Sequence, residues 1–428
     1  MSASKLESPP PFYVALVGHT AQMGGAEHAL VRLVETLDRS LWHPVVVFAE
    51  EGPAVEKIRQ LSAEAYVLPV GETLGTTRRE SLSLLGCLRL SRITGLVRQV
   101  ARMAAFFRAR GVQLVHTNSL KAHVYAGFAA RLAGIPLVWH LRDSVHESYL
   151  PIPAVRALRF LGQRLPHKVV AVSQSVARDL LGAYSPDKCA VIYDGLRDAD
   201  FNSGVSSGVP DPAEPTLGMV GRITRWKGQH VFVEAAELLV RRGFSLRFEI
   251  LGAPLFGEQD YWEHLHALVR KKGLENRVFF RGGVTDVGRR IRAWKAVVHA
   301  SVSPDPCPNV ILEAMAAGVP VVGSDGGGVP EVLGEGRFGW LHPMGNATAL
   351  ADALEQILRY PSKAEAISRE ARLHARAHFT ATRVTREVEE CWAKLASPGG
   401  WKKRRWPELE TSGDGISRAG LTKIVSGV

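Results

Sequence analysis

The chain has 428 residues, 46% of them apolar, and carries a formal net charge of +11 at pH 7. This length exceeds what one hydrophobic core usually serves, so the composition excludes a small single-core module and predicts a globular protein of two domains. The positive charge indicates an anionic partner, which is a nucleic acid, an anionic bilayer or a phosphorylated small molecule. Charge alone does not choose among them.

The N-terminal stretch and the cysteines bear on the compartment. The sequence "MSASKLESPPPFYVALVG" has no basic n-region, and its apolar run from Phe12 to Val17 is too short to insert into a membrane. We therefore expect a cytoplasmic protein. The spacing of the cysteines is neither that of metal ligands nor that of a redox pair, which predicts reduced thiols. These residues are Cys87, Cys189, Cys307 and Cys391.

Short β-branched runs alternate with helical periods along the first half of the chain. This alternation is typical of crossover units and a parallel sheet. The predicted strands are "FYVALVG", "PVVVFA", "AYVLPV", "LVHTN", "PLVWHL", "KVVAVS" and "AVIYDG". They predict a complete doubly wound sheet.

A second sheet of the same class follows a break that is rich in Gly, Ser and Pro. Its predicted strands are "TLGMVGRI", "LRFEILG", "RVFFRGG", "AVVHASVS", "PVVGSDG" and "GWLHP". The predicted division is a first domain over 1–200, a linker over 201–215 and a second domain over 216–379, with a helix at about 380–395 that packs back on the first domain. The basic tail 396–428, which contains "WKKRRW", is expected to be mostly disordered.

Two parallel sheets in one chain predict a shared ligand site, because ligands bind beyond the carboxyl ends of the strands in such folds. In "GRITRWKGQH", Arg222 and Lys227 follow a strand, and a helix is predicted from about Gln229. An Arg, a Lys and the amides of a helix N-terminus together suit a diphosphate. A solvated basic loop is the alternative.

The stretch "DPCPNVILE" places two acids, Asp305 and Glu313, eight positions apart. Asn309 is the predicted N-cap of the helix, and Glu313 then lies one residue too late for a capping box. A carboxylate on an apolar helix is costly unless it is hydrogen-bonded, so ligand hydroxyls are one explanation for Glu313. A structural pair with an Arg of a neighbouring helix is the other.

The motifs together resemble the family 4 (group 1) glycosyltransferases of the GT-B fold. The resemblance rests on the "GR-x4-KG" element, the two acids before "EAMAAGVPVV", "SDGGGVPEVL", "MGGAEHALVRL" and "VWHLRD", and it covers roughly residues 12–395. It implies an α/β protein of two Rossmann-like doubly wound parallel-sheet domains facing a central cleft.

The resemblance implies a donor site in the second domain. Arg222 and Lys227 would bind the donor diphosphate and carry most of the catalytic stabilisation, and the amides of Asn309 and Val310 would add to it. Glu313 would hold the ribose hydroxyls of the nucleotide. Asp305 would contact hydroxyls of the transferred sugar.

Two departures from the family pattern bear on sugar selectivity. The first acid is usually Glu, and Asp305 is one methylene shorter. The family often has Gly where this chain has Pro308, which has no N–H to donate.

In the first domain, Gly24 and Gly25 would let the backbone approach the acceptor, and Gly25 also the donor. A plain strand-to-helix turn explains the same glycines. The resemblance implies that His140 orients the acceptor or hydrogen-bonds the sugar.

The implied activity is retaining, metal-independent transfer of a hexose-type sugar from a nucleoside-diphosphate donor, with no cofactor. The acceptor would be a hydroxyl of a glycan or a lipid-linked molecule, in cell-surface polysaccharide or glycolipid synthesis. The "DAD" at Asp198 to Asp200 matches the metal-binding motif of another transferase fold by letters, but its position predicts linker.

A basic segment over residues 78–110 carries an apolar stripe at helical spacing. The stripe comprises Ile93, Val97, Val100, Ala104 and Phe107. The segment is either a helix lying on an anionic membrane, which would make the protein peripheral on the inner face of the plasma membrane, or an ordinary crossover helix with a solvated basic face.

Three other functions compete with transfer. A dinucleotide-dependent oxidoreductase would use Glu50 at the end of the second strand, but "VGHTAQMGGAE" lacks the Gly-x-Gly-x-x-Gly fingerprint. A sugar-nucleotide epimerase or hydrolase fits the same scaffold, because a fold does not fix a function. No helix-turn-helix or RNA-binding module is recognisable, so we expect no nucleic-acid partner.

Overall fold

The structure is a computed structural model that describes residues 11–70, 90–147, 149–202, 215–255, 257–284 and 286–396. The chain divides into two compact units. Unit 1 comprises Met1–Ala171, Ala177–Ile192 and Thr385–Val428, and unit 2 comprises Val172–Val176 and Tyr193–Val384. Most of the predicted linker and nearly all of the predicted basic tail lie outside the described residues.

Unit 1 contains the seven strands that the sequence predicts. They are β1 (Phe12–Val17), β2 (Trp42–Phe48), β3 (Glu64–Val67), β4 (Leu114–Thr117), β5 (Leu137–Leu141), β6 (Lys168–Ala171) and β7 (Cys189–Val191). All pairs are parallel, in the order β3-β2-β1-β4-β5-β6-β7. The doubly wound sheet is therefore confirmed, and its order reverses between β1 and β4.

Helices alternate with these strands. They are α1 (Gly25–Thr36), α2 (Pro53–Gln60), α3 (Leu90–Ala109), α4 (Leu120–Ala133), α5 (Ile152–Arg164) and α6 (Gln174–Leu181). The sheet is buried on both faces, as a covered parallel sheet must be, and Val14–Val17 are 0% exposed.

Unit 2 repeats this architecture with six parallel strands. They are β8 (Thr216–Val220), β9 (Arg247–Leu251), β10 (Val278–Phe280), β11 (Ala296–His299), β12 (Val321–Asp325) and β13 (Trp340–Pro343), in the order β10-β9-β8-β11-β12-β13. The strand order reverses between β8 and β11. Large side chains fill the core, among them Phe232, Phe248 and Tyr261, and each contributes about 1.5–3 kcal/mol by burial.

The other helices of the described residues follow α6 along the chain. They are α7 (Asp198–Asn202), α8 (Gln229–Arg241), α9 (Gln259–Lys271), α10 (Val287–Ala293), α11 (Asn309–Ala317), α12 (Val329–Val332), α13 (Ala347–Arg359), α14 (Pro361–His378) and α15 (Ala381–Ala396). Within α15, the residues from Thr385 onward belong to unit 1, where Trp392 is fully buried.

The predicted apolar stripe of the basic segment is buried at one end and exposed at the other. The structure describes its second part as helix α3, and residues 78–89 and the side chain of Ile93 lie outside the described residues. Ala104 and Phe107 are buried, whereas Val97 is 62% exposed. Met103 and Phe106 are also buried, and residues 94–98 are mostly exposed, so the described part of α3 packs closely toward its C-terminal end.

The interpretation of "DAD" as linker is also corrected. Asp198 to Asp200 begin the short helix α7. Asp200 Oδ2 accepts the N–H of Arg197 over 3.1 Å, and Asp198 Oδ2 accepts the hydroxyl of Thr382 over 2.6 Å. These acids therefore cap and join helices.

The three cysteines that the structure describes are buried and form no disulfide. Among the described residues, no helix has the length and apolarity that crossing a bilayer requires.

Candidate active site

The loop after β8 starts at the point where the strand order of unit 2 reverses, which is where open α/β sheets bind ligands. It runs through a 3₁₀ turn, Arg225–Lys227, into α8, which begins at Gln229 as predicted. Gly228 has φ +74° at this junction, and a Cβ there would lie 1.9 Å from the carbonyl oxygen of Ala300. The loop therefore packs directly on the residue that follows β11, and only glycine fits.

The side chain of Gln229 fixes the start of the same loop. Its Nε2 donates to the carbonyl oxygen of Arg222 over 2.9 Å. Gln229 is fully buried, and the Arg222 side chain is half-buried. Arg222 is thus held through its backbone at the carboxyl end of β8.

Lys227 and Asp305, both predicted site residues, contact each other. Lys227 Nζ donates to Asp305 Oδ2, and the two side chains are 18% and 6% exposed. The ammonium also lies 4.2 Å from the centre of the Trp226 ring. Because both side chains are largely shielded from solvent, water screens the charges of this ion pair only weakly.

His299, the last residue of β11, is a second partner of Asp305 that sequence reasoning missed. Its Nε2 lies 2.9 Å from Asp305 Oδ2, and its Nδ1 lies 3.1 Å from the hydroxyl of Ser324. Ser301 Oγ is 3.0 Å from His299 Nε2 and 3.5 Å from the carboxylate. All of these contacts with Asp305 fall on Oδ2.

The contacts with Lys227 and His299 determine whether the Asp305 carboxyl is ionised. Burial by itself raises the pKa of Asp305, but the charge of Lys227 and the hydrogen bond from His299 outweigh it and hold the pKa well below the ordinary value of 3.8. Burial lowers the pKa of His299, and the neighbouring carboxylate offsets only part of that effect. Asp305 is therefore ionised at neutral pH.

Two of the three consecutive glycines that follow β12, Gly327 and Gly328, contact the backbone of Asp305. Gly327 has φ +66°, and a Cβ on it would lie 2.1 Å from the Asp305 carbonyl oxygen. The N–H of Gly328 donates to that oxygen over 2.8 Å. The "SDGGGV" motif thus fixes the loop that carries the acid.

The predicted N-cap of α11 is corrected by one residue. Pro308 is the N-cap and Asn309 the first helical residue, because Pro308 holds the extended conformation that precedes a helix. Glu313 is then the fifth helical residue, which excludes a capping box. Its side chain is half-buried between fully buried neighbours, Leu312 and Ala314.

In unit 1, Gly24 is the N-cap of α1, and Gly25 is its first residue. Glu27, the acid of the "GGAE" motif, accepts the N–H of Gly24 through Oε2 over 3.1 Å. Burial raises the pKa of Glu27 to about 7, and the charge of Asp143 adds to this rise. In the sequence, the only feature that indicated a role for Glu27 was its place in the family-like "GGAE" stretch.

His140, in β5, is 1% exposed, so it is not an ordinary surface residue at a strand end. Its Nδ1 lies 3.1 Å from Nε2 of His116 in β4. Its Nε2 has no hydrogen-bond partner among the described residues. Burial and the charge of Arg142 hold the pKa of His140 well below its ordinary value, so the ring is neutral.

No group of three or more His, Cys, Asp or Glu side chains that could hold a metal ion occurs in the described part of the chain.

Two family profiles match the chain in succession. Residues 23–199 match the profile described as Glycosyltransferase Family 4, and residues 206–374 match the profile described as Glycosyl transferases group 1. The first covers most of unit 1 and the second most of unit 2.

Curated relatives match part of the chain. It is 29% identical over 181 residues to the spore coat protein SA of Bacillus subtilis, which is 41% of this chain and 48% of that protein. It is 30% identical over 185 residues to the putative colanic acid biosynthesis glycosyltransferase WcaL of Salmonella typhimurium, 41% of this chain and 43% of that protein. The match therefore spans about half the length of these relatives.

A solved structure matches over nearly the whole chain. The Anabaena protein Alr3699/HepE, crystallised with UDP and glucose, has a TM-score of 0.73 and 26% identity, covering 89% of this chain and 99% of that one. The same protein has also been solved with UDP-glucose.

Proposed function

The chain belongs to the family 4 (group 1) glycosyltransferases of the GT-B fold, and from this membership we propose that it transfers a sugar from a nucleoside diphosphate to an acceptor hydroxyl. The proposed transfer retains the anomeric configuration and needs no metal. The acceptor is a glycan or a lipid-linked molecule in polysaccharide or glycolipid synthesis. The Anabaena complex with UDP-glucose makes that compound the first donor to test.

One observation carries the proposal, namely the position of Lys227. Its largely buried ammonium lies at the reversal of strand order in unit 2. Helix α8 begins two residues after Lys227, and helix α11 begins four residues after Asp305. A cation and two helix N-termini in one region of the sheet suit a diphosphate, because the charge and the dipoles act on the same anion.

The chemistry needs stabilisation of the departing diphosphate. Lys227 and Arg222 neutralise the charge that develops on it, and the amides of Asn309 and Val310 add to this. The diphosphate then accepts the proton of the acceptor hydroxyl on the face that it leaves, which gives retention.

The two acids divide the donor between them. Glu313 accepts from the ribose hydroxyls. Asp305 uses Oδ2 for Lys227 and His299, so Oδ1 accepts from the transferred sugar. Because the acid that touches the sugar also holds the lysine that touches the diphosphate, both parts of the donor are recognised by one linked group.

Unit 1 supplies the acceptor side. We assign the backbone at Gly24 and Gly25, at the start of α1, to the acceptor; Gly25 is exposed there, and Glu27 holds the N–H of Gly24. His140 offers Nε2, which has no partner in the described part of the protein. Placing this polar atom against a substrate oxygen would satisfy its hydrogen bond.

We also propose a peripheral contact with an anionic membrane through α3, within the 78–110 segment. Val97 is 62% exposed beside the exposed Arg98. An apolar side chain flanked by a cation suits a charged lipid surface, where each basic residue adds about 1 kcal/mol. At the membrane surface the protein would meet a lipid-linked acceptor.

The test is a thermal-shift screen of nucleoside-diphosphate sugars, followed by product analysis with and without acceptors. The winning donor raises the melting midpoint because it binds only the folded state. Lys227→Ala abolishes this rise, whereas Arg225→Ala, an equal change of charge at an exposed residue of the same 3₁₀ turn, retains it. Equal midpoint shifts in both variants, or products that form at the same rate without an acceptor, would contradict transfer.

A further inference from the structure

The last described helix contacts the histidine pair of unit 1. Trp392, in α15, points its indole nitrogen Nε1 at Nδ1 of His116 over 3.1 Å, and both side chains are 0% exposed. An indole N–H donates and never accepts. His116 Nδ1 is therefore an acceptor and carries no proton, which settles an assignment that ring geometry alone leaves open.

The position of the proton on His116 fixes the hydrogen bond that it makes with His140. Burial, reinforced by the charge of Arg142, lowers the pKa of His116 to about 3, so its ring is neutral and carries one proton. With Nδ1 bare, the proton is on Nε2. That atom lies 3.1 Å from Nδ1 of His140 and donates to it.

Only one ring nitrogen of His140 can then carry the proton. Its Nδ1 accepts from His116, and a guanidinium nitrogen of Arg142 lies 3.4 Å from the same atom as a second donor. Because the ring is neutral, its proton is on Nε2. This is the nitrogen without a partner among the described residues, in a side chain that is 1% exposed.

We propose that Trp392 is a positioning residue that acts through His116 to hold His140 as the Nε2–H tautomer. His140 then serves as a hydrogen-bond donor to a substrate oxygen and does not act as the base that deprotonates the acceptor. The contact with substrate rests on the proposed function, whereas the tautomers do not.

The chain offers a matched control in Trp42. The Trp42 and Trp392 rings pack edge to face with centroids 5.3 Å apart. The Trp42 Nε1 is buried and has no hydrogen-bond partner in the part of the chain that the structure describes. Replacing either Trp with Phe removes a similar ring and one indole N–H, but only Trp392→Phe removes the donor to His116.

The experiment is ¹⁵N NMR of the full chain, without donor, labelled at the histidine rings and assigned with His116→Gln and His140→Gln. In the wild type we expect a protonated Nε2 and a bare Nδ1 on both rings. Trp392→Phe should move both nitrogens of His140 toward tautomer-averaged shifts, and Trp42→Phe should leave them unchanged. Transfer at saturating donor should fall about two- to tenfold in Trp392→Phe alone, the loss expected for one neutral hydrogen bond.

Two results would overturn the proposal. One is a wild-type His140 protonated on Nδ1, which needs no variant and so does not depend on whether Trp392→Phe folds. The other is an unchanged His140 spectrum in a folded Trp392→Phe protein. Since both spectra are recorded without donor, a failure of transfer activity leaves the tautomer result intact, and the two failures are distinguishable.

Discussion

Lys227 and Asp305 form a largely buried ion pair across 78 positions of sequence. The lysine follows β8 and the aspartate follows β11, and these strands are neighbours in the sheet of unit 2. The cation predicted for the diphosphate and the acid predicted for the sugar therefore act together. Changing either one alters the electrostatics of the other.

Asp305→Asn should destabilise the protein by about 3–5 kcal/mol, because it leaves the charge of Lys227 poorly compensated in a buried place. The pKa of Asp305 is held below its ordinary 3.8 in the folded state. Its contribution to stability is therefore fully present above about pH 3.8 and is lost as the pH falls below that value. Urea unfolding at a series of pH values measures both effects.

The control for this change is Asp325→Asn, at the exposed end of β12. It should change the free energy of unfolding by less than about 0.5 kcal/mol, as surface substitutions usually do. Equal losses of stability in the two variants would show that the Asp305 pair contributes nothing specific.

Gly327→Ala should cost several kcal/mol and weaken donor binding, since its Cβ would lie 2.1 Å from the Asp305 carbonyl oxygen. Gly273→Ala is its control, because Gly273 has φ +64° against +66° for Gly327 but no atom within 4 Å of the added Cβ. The control pays only the left-handed backbone strain, about 1–2 kcal/mol. Unfolding titrations of both variants give the difference, and similar losses would mean that the loop adjusts freely.

Glu313→Ala should weaken UDP and UDP-glucose by the same factor, about 10- to 100-fold, because the proposed contact is a charged hydrogen bond to the ribose that both ligands share. Isothermal titration calorimetry measures the two affinities. Glu365→Ala, at an exposed position of α14, should leave both unchanged. A loss confined to UDP-glucose would assign Glu313 to the sugar and contradict the proposed division of roles.

Glu27→Gln should make the protein less sensitive to pH. The pKa of Glu27 rises from 4.5 to about 7 on folding, so the wild type keeps its full stability below about pH 4.5. It loses up to about 3 kcal/mol as the pH rises through 7, where the buried group ionises. The glutamine variant should lack this loss.

Urea unfolding at pH 5 and pH 8 measures the effect of Glu27, and Glu35→Gln, at an exposed position of the same helix, should follow the wild type. A wild-type curve that rises over this range relative to Glu27→Gln has the wrong sign for the proposed titration.

Val97→Asp should reduce binding to vesicles that contain anionic lipid, because it removes an exposed apolar group and adds a repelled charge. Leu373→Asp makes the same change in α14 of unit 2, at 66% exposure against 62% for Val97, and should bind as the wild type does. Co-sedimentation in low and high salt reports both, and wild-type binding should fall in high salt. Equal wild-type binding to neutral vesicles would reject the membrane proposal.

The sequence predicted the strands well because each is a short β-branched run. A parallel strand that is buried on both faces has such a run whichever strands it pairs with. It predicted Lys227, Asp305 and Glu313 as site candidates from a strand end, a helix start and a costly carboxylate. It misplaced the N-cap of α11 by one residue, since Pro308 and Asn309 both suit a helix start. It placed Val97 on an apolar stripe but left open whether the stripe faces the sheet or a membrane, because periodicity shows which residues share a face but not what covers that face.

Local patterns alone predict the two parallel sheets, the loops at their carboxyl ends and the residue types in those loops. Three contacts depend on the folded chain: Lys227 with Asp305, Gly327 with the same acid, and Trp392 with His116, 276 positions away. Such contacts arise from the order of strands and the packing of a distant helix. Their consequences, an ionised Asp305 and a neutral His140, follow from burial and partners that no local pattern encodes.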